Sequence, residues 1–224
     1  MQNWKNALCV LSVRERRKMN KINYQKELDK IISQNIEKKF IPTLLLHSCC
    51  APCSSYVLEY LSQYFKITVL YYNPNISPRE EYEKRKEEQK RLIASMPFVY
   101  PVGIMDCEYN TQPFFAMAKG LEECPEGGQR CFACYDLRLR RTAREAAAGG
   151  FDYFTTTLSI SPLKNAQKLN TLGFAAGEDF HVKFLPADFK KKEGYKRSIE
   201  LSGKYSLYRQ NYCGCVYSKR QENK

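Results

Sequence analysis

Residues 41 to 54 read Ile41-Pro-Thr-Leu-Leu-Leu-His-Ser-Cys-Cys-Ala-Pro-Cys-Ser54, and the fold turns on that stretch. Leu44 to Leu46 have the unbroken apolar character of a buried strand, and Pro52 stands where the first turn of a helix tolerates a missing N–H. The strand therefore delivers Cys49, Cys50 and Cys53 to the mouth of a helix. Helix N-termini favour anions, so thiolates there are stabilised and suited to metal binding.

Downstream, a helix running on from Ser54 carries Val57, Leu58, Leu61 and Phe65 at helical spacing, and Ile67 to Tyr72 is a second buried strand. Strand, helix, strand in that order makes a right-handed parallel crossover. A loop at Asn73 to Pro78 leads to a charged helix over Arg79 to Ser95. A third strand is expected at Phe98 to Ile104, limited by Pro97 and Pro101, then a short helix at Gln112 to Lys119. Cys131-Phe-Ala-Cys134 opens a helix that runs to Ala148 and stops at Gly149-Gly150. Tyr153 to Thr157 reads as a fourth strand, Leu163 to Ala176 as a helix and Val182 to Leu185 as a fifth strand. The alternation specifies an α/β fold: a doubly wound, mostly parallel sheet, Rossmann-like or HUP-like, with a helical, basic C-terminal segment. Ligands of such sheets bind outside the carboxyl ends of the strands.

Upstream, Ile22, Leu28, Ile31, Ile32 and Ile36 mark an amphipathic helix over Lys21 to Lys39. Residues 1 to 18 lack periodicity and are expected to be disordered, with Met19 a plausible start. The division is thus an N-terminal extension and helix over 1–40 and one α/β catalytic domain over 41–224.

The 224 residues are 43% hydrophobic, enough for a substantial core. With no apolar run of about 18 residues and no cleavable leader, no membrane contact and a cytoplasmic location are expected. Ten cysteines are too few for a dense disulfide scaffold and too clustered for scattered core thiols, which points to metal or redox work. The net charge of +12 is concentrated at the ends: residues 1 to 40 carry a surplus of six, residues 183 to 224 a surplus of seven, and the middle is near neutral. Two basic ends suit a long polyanion; solvated lysine surface gives the same pattern.

Cys50-x-x-Cys53 and Cys131-x-x-Cys134 are two pairs at metal-ligand spacing, about 80 residues apart, with Cys49 adjoining the first. Four thiolates suit structural zinc; they equally suit an iron-sulfur cluster in the ligand cleft, which accommodates adjacent cysteines with less strain. The metal-ligand candidates are therefore Cys49, Cys50, Cys53, Cys131 and Cys134, five thiols that leave one spare or available to an additional iron. Asp136 is a possible oxygen ligand to it. Tyr212-Cys-Gly-Cys215 holds a second pair. A one-residue spacer makes a strained, easily reduced bridge, for which Gly214 supplies backbone freedom, although two more metal ligands have the same signature. Cys9, Cys107 and Cys124 lack partners at useful spacing.

The segments HSCCAPCSS, YYNPNISPREEYEKR, CFACYDLRL, TTLSISPLKN and ADFKKKEGYKRSIELSGKYSLYRQNYCGC, in that order from Leu44 to Ser218, resemble the epoxyqueuosine reductase family of the QueH kind. The resemblance implies reduction of epoxyqueuosine to queuosine at the wobble position of tRNAs with a GUN anticodon. It implies a four-iron, four-sulfur (4Fe-4S) cluster on Cys49, Cys50, Cys131 and Cys134, a redox-active disulfide between Cys213 and Cys215, and an unidentified electron donor. Removing the epoxide oxygen also needs a proton donor, for which Asp136, Tyr212 and His47 are candidates by proximity to the thiols. Lys190, Lys191, Lys192, Lys196, Arg197 and Arg209 are candidate phosphate contacts; Tyr72, Tyr82 and Tyr208 are candidate platforms for an extruded base. Two rivals are an ATP-dependent tRNA thiolation enzyme, which needs a glycine-rich phosphate loop where SCCAPCS stands, and a zinc-binding RNA-binding module.

Overall fold

The computed structural model describes residues 22–219; the readings made for residues 1 to 18, Met19 and Cys9 lie outside them. The chain runs α1 (Tyr24–Glu37), β1 (Thr43–His47), α2 (Ala51–Leu61), β2 (Lys66–Tyr71), α3 (Arg79–Ser95), β3 (Gly103–Asp106), α4 (Gln112–Ala118), α5 (Gln129–Ala148) and β4 (Tyr153–Thr156). A 3-10 turn (Thr157–Ile160) follows, then α6 (Ala166–Asp179), β5 (Lys183–Phe184), α7 (Gly194–Lys204) and α8 (Val216–Lys219). The five strands form one parallel sheet in the order β3-β2-β1-β4-β5, so the expected doubly wound α/β fold is present and every pair is parallel.

β1 shows why. Leu44 and Leu46 enter an apolar cluster with α1, α2 and α3, Leu45 enters another with α5 and α6, and all three are fully buried. A strand apolar on both faces is what a sheet covered by helices on both sides demands. The chain leaves β1 toward β2 and β3, then crosses back to place β4 against the other edge of β1. The reversal opens a crevice at the carboxyl ends of β1 and β4, just where Ser48 to Cys53 follow β1.

Several readings shift in the structure: α6 spans Ala166–Asp179 instead of Leu163 to Ala176, and β5 is confined to Lys183–Phe184. The third strand spans Gly103–Asp106 instead of Phe98 to Ile104. Pro97 and Pro101 themselves have no N–H to give to a ladder, and Val99 between them is left 64% exposed. α2 begins at Ala51, so Cys50 is its N-cap and Cys53 lies in its first turn. Of the apolar residues read onto the first helix, Leu28 and Ile32 are buried, while Ile36 and Ile22, which precedes α1, are exposed.

α6 meets β5 closely at Gly173, where an added Cβ would stand 2.3 Å from the Phe184 ring. Gly173→Ala therefore displaces a buried aromatic and is expected to destabilise the protein by about 1–3 kcal/mol. A thermal melt within a degree of wild type would contradict this.

Candidate active site

The three sulfurs of Cys49, Cys50 and Cys53 lie within 4.8 Å of one another at the N-terminus of α2. Cys49 Sγ is 3.7 Å from Cys50 Sγ and 3.9 Å from the Thr157 hydroxyl, at the first residue beyond β4. The triplet thus spans the crevice between β1 and β4. Donation from the Cys50 and Cys53 thiols, with Arg138 nearby, holds Cys49 well below the ordinary thiol range despite burial. The same arrangement pushes Cys50 up to about 12 and raises Cys53. Of the three thiols Cys49 is thus the one whose anion the site favours, with two S–H donors directed at it.

Around the triplet the backbone is pinned by polar side chains. Ser48 and Ser54 Oγ are 2.5 Å apart and donate to Gln89 Oε1 at 2.7 and 2.8 Å. Asn73 Nδ2 donates to the Ser48 carbonyl at 2.8 Å.

α5 carries Cys131, Cys134 and Arg138 at i, i+3 and i+7, one stripe on one face. The Gly127 N–H donates to Cys131 Sγ at 3.2 Å. Arg138 is 3% exposed; burial opposes its charge, and nearby Cys134, Cys49 and Cys213 favour it, so it lies among all three thiol groups. Lys164 lines the cleft; burial opposes its charge, yet Cys213 and Tyr135 hold its pKa above the ordinary lysine range. Among the described residues neither cation has a carboxylate in ion-pair contact; the groups that favour their charge are cysteine sulfurs and the Tyr135 hydroxyl.

Cys213 faces the triplet across a cleft of about 490 Å³ whose lining also includes Arg85, Arg138, Lys164, Tyr195 and Tyr212. Cys215 is 7% exposed and packs with Cys134 and Phe114, its thiol pushed up to about 11 by burial and by Cys213.

Several expected site residues stand elsewhere. Asp136 accepts from Arg140 Nε at 3.1 and 3.2 Å, and Arg140 also binds Asp179 on α6, so its carboxylate turns from the cleft. Two residues beyond Cys134 is more than half a helical turn, which points Asp136 away from the thiol stripe. His47 is fully buried with Nδ1 2.9 Å from the Thr156 hydroxyl and Nε2 3.0 Å from the Tyr72 carbonyl. Nε2 must donate to that carbonyl, and burial depresses the pKa to about 3, so His47 is a neutral structural link and no proton donor. Tyr82 is 1% exposed inside a ring cluster with Tyr71 and Tyr109, and Tyr72 is buried under Arg141. Neither is open to a base. Tyr208 is half-buried beneath Lys84, with its hydroxyl 3.3 Å from Glu81.

A parallel α/β sheet that gathers thiols and buried cations at its switch point has the make-up of a redox or metal-binding enzyme site. The comparisons are more specific. The family model for "Epoxyqueuosine reductase QueH" matches residues 44–221. The protein of that name from Staphylococcus epidermidis is 45% identical over 215 residues, covering 92% of this chain and 88% of its own. Those from Streptococcus pyogenes serotype M1 (41%, 90% and 80% covered) and Thermotoga maritima (36%, 79% and 90% covered) are also similar. The chain belongs to the epoxyqueuosine reductase QueH family.

Proposed function

We propose that this chain reduces epoxyqueuosine to queuosine at the wobble position of tRNAs with a GUN anticodon. In this reading Cys49, Cys50, Cys131 and Cys134 hold a four-iron, four-sulfur cluster, and Cys213 and Cys215 form a redox pair. The observation that carries it is the meeting of Cys213 with the Cys49, Cys50 and Cys53 triplet on one cleft at the switch point. The donor chemistry suits the group, although the sulfurs gathered within 4.8 Å among the described residues are those of Cys49, Cys50 and Cys53. The donor set is all sulfur, a backbone N–H already serves Cys131, and two cations without carboxylate partners offset the charge of four thiolates. Such a cluster supplies single electrons and an electrophilic iron when bound.

The chain's own residues do the rest. Opening the epoxide to an alkene takes two electrons and two protons and releases water. Oxidation of a dithiol to a disulfide yields two of each, so one cycle of Cys213 and Cys215 balances one substrate. An external electron donor then restores the pair. With His47 neutral and Asp136 turned away, the cleft offers Lys164 and Tyr212 as groups near the epoxide oxygen. The exposed ring of Tyr195 on the cleft wall replaces Tyr82 and Tyr72 as the stacking surface for the extruded base. No described helix is long and apolar enough to cross a membrane, and we place the enzyme in the cytoplasm with its tRNA.

The test is an anaerobic preparation assayed on tRNA carrying epoxyqueuosine. Absorbance at about 400 nm that bleaches with dithionite, together with turnover, supports the reading. A colourless, zinc-loaded protein without turnover overturns it.

The structure also revises the expected RNA contacts. Lys190 is bound to Asp188 at 2.6 Å and Lys192 to Asp29 at 2.8 Å, while Arg197 is bidentate to Glu59 and Lys196 is near Glu193. Neutralising Lys190, Lys191 and Lys192 together is therefore expected to flatten the slope of log affinity against log salt by about one unit, not three. Filter binding of tRNA over a salt series measures this; a change of three units would show that those pairs open on RNA.

A further inference from the structure

α3 presents Glu81, Arg85 and Gln89 on one face at i, i+4 and i+8. Gln89 holds Ser48 and Ser54, which flank the triplet. One turn earlier Arg85, 2% exposed, donates from Nη1 to the Cys213 carbonyl at 3.3 Å and from Nη2 to the Tyr212 carbonyl at 3.4 Å. Its Nε is held by Glu81 at 2.7 Å, and its guanidinium lies 5.1 Å from the centre of the Tyr212 ring. Gly214 completes the fit. At φ +93° it takes a conformation that disfavours side chains, and a Cβ there would stand 2.9 Å from Ile76 Cγ1 and 3.1 Å from Arg85 Nη1. The Gly214 carbonyl accepts from the Ser77 N–H at 3.0 Å.

We infer that Arg85 is a positioning residue that fixes Cys213 opposite the Cys49, Cys50 and Cys53 triplet, with α3 setting the register of both thiol groups. Its hydrogen bonds go to the Glu81 carboxylate and to two backbone carbonyls of the Cys213 segment, with Cys50 acting on it only through space, so it acts through the placement of the segment. Five donors in a rigid plane suit a cation that must meet two carbonyls and a carboxylate at once, which a lysine cannot reproduce. This deepens the proposed function, because it rests on Cys213 and Cys215 exchanging two electrons and two protons per substrate, with dithiothreitol as reductant in the assay.

The experiment compares Arg85→Gln, Arg85→Lys and Gly214→Ala with wild type, using the iodoacetamide labelling rate of each cysteine by mass spectrometry and the steady-state kinetics of tRNA reduction. In Arg85→Gln and Gly214→Ala, Cys213 labelling is expected to rise about tenfold while Cys49 stays within about twofold. kcat is expected to fall about tenfold or more with KM within about twofold, and Arg85→Lys to lie between. Gly214→Ala keeps the test open should loss of Arg85 unfold the chain, since it alters only the segment. Unchanged Cys213 labelling and kcat in Gly214→Ala, or equal acceleration at Cys49 and Cys213, would overturn the inference. Full turnover in Cys213→Ser would instead defeat the redox assignment, leaving the labelling result to report on position alone.

Discussion

Cys213→Ser and Cys215→Ser are expected to lose multiple turnover by on the order of a hundredfold or more while keeping the iron and visible spectrum of the wild type. Cys213 lines the cleft and Cys215 lies behind it against Cys134 and Phe114, so one thiol of the pair meets the substrate side and the other is sheltered. Serine is nearly isosteric but cannot be oxidised to a bridge, so two electrons per cycle are no longer stored. A single turnover fed by an artificial one-electron donor should survive at low level. Iron and sulfide analysis beside the assay decides the matter. Loss of iron in either variant would make the pair metal ligands, an outcome that the packing of Cys215 on Cys134 gives a physical basis.

Cys131→Ser is expected to lose most bound iron and sulfide, and Cys53→Ser to keep them. α5 is anchored by Tyr135, Leu139, Ala143 and Ala146, all buried on the sheet, so loss of the Cys131 sulfur leaves the helix in place and removes only a donor. The competing set is the compact triplet, whose sulfurs are close enough for a single tetrahedral ion. The two variants separate the sets. Full iron in Cys131→Ser with loss in Cys53→Ser would assign the metal to the triplet.

Much of this was legible in the sequence. Leu44 to Leu46 followed by three cysteines and a proline encode a buried strand, a turn and a helix start, and the crowding of Cys49, Cys50 and Cys53 in sequence marks the thiol triplet. Other parts were not. Asp136 looked like a ligand by proximity, but a helix turns about 200° over two residues. Tyr82 and Tyr72 looked like platforms because aromatic residues read alike whether they stack on a base or fill a core. Arg85 and Arg138 were passed over because arginine in a charged run reads as surface, whereas both are nearly fully buried. Arg138 alone left a trace, falling on the stripe of Cys131 and Cys134.

The placement of the thiols at the switch point separates making the protein from equipping it. The large apolar clusters on the two faces of the sheet are built from Leu, Ile, Val, Phe, Tyr and Ala, and the sulfur donors border them instead of filling them. Small zinc domains owe their fold to the metal, so that apo means unfolded. Here the two large apolar clusters join sheet and helices, and cysteines meet them only as partly buried neighbours at the border. On the proposed reading, delivery of the cluster is a maturation step on such a fold, and its loss to oxygen or a chelator is expected to leave a folded apoprotein.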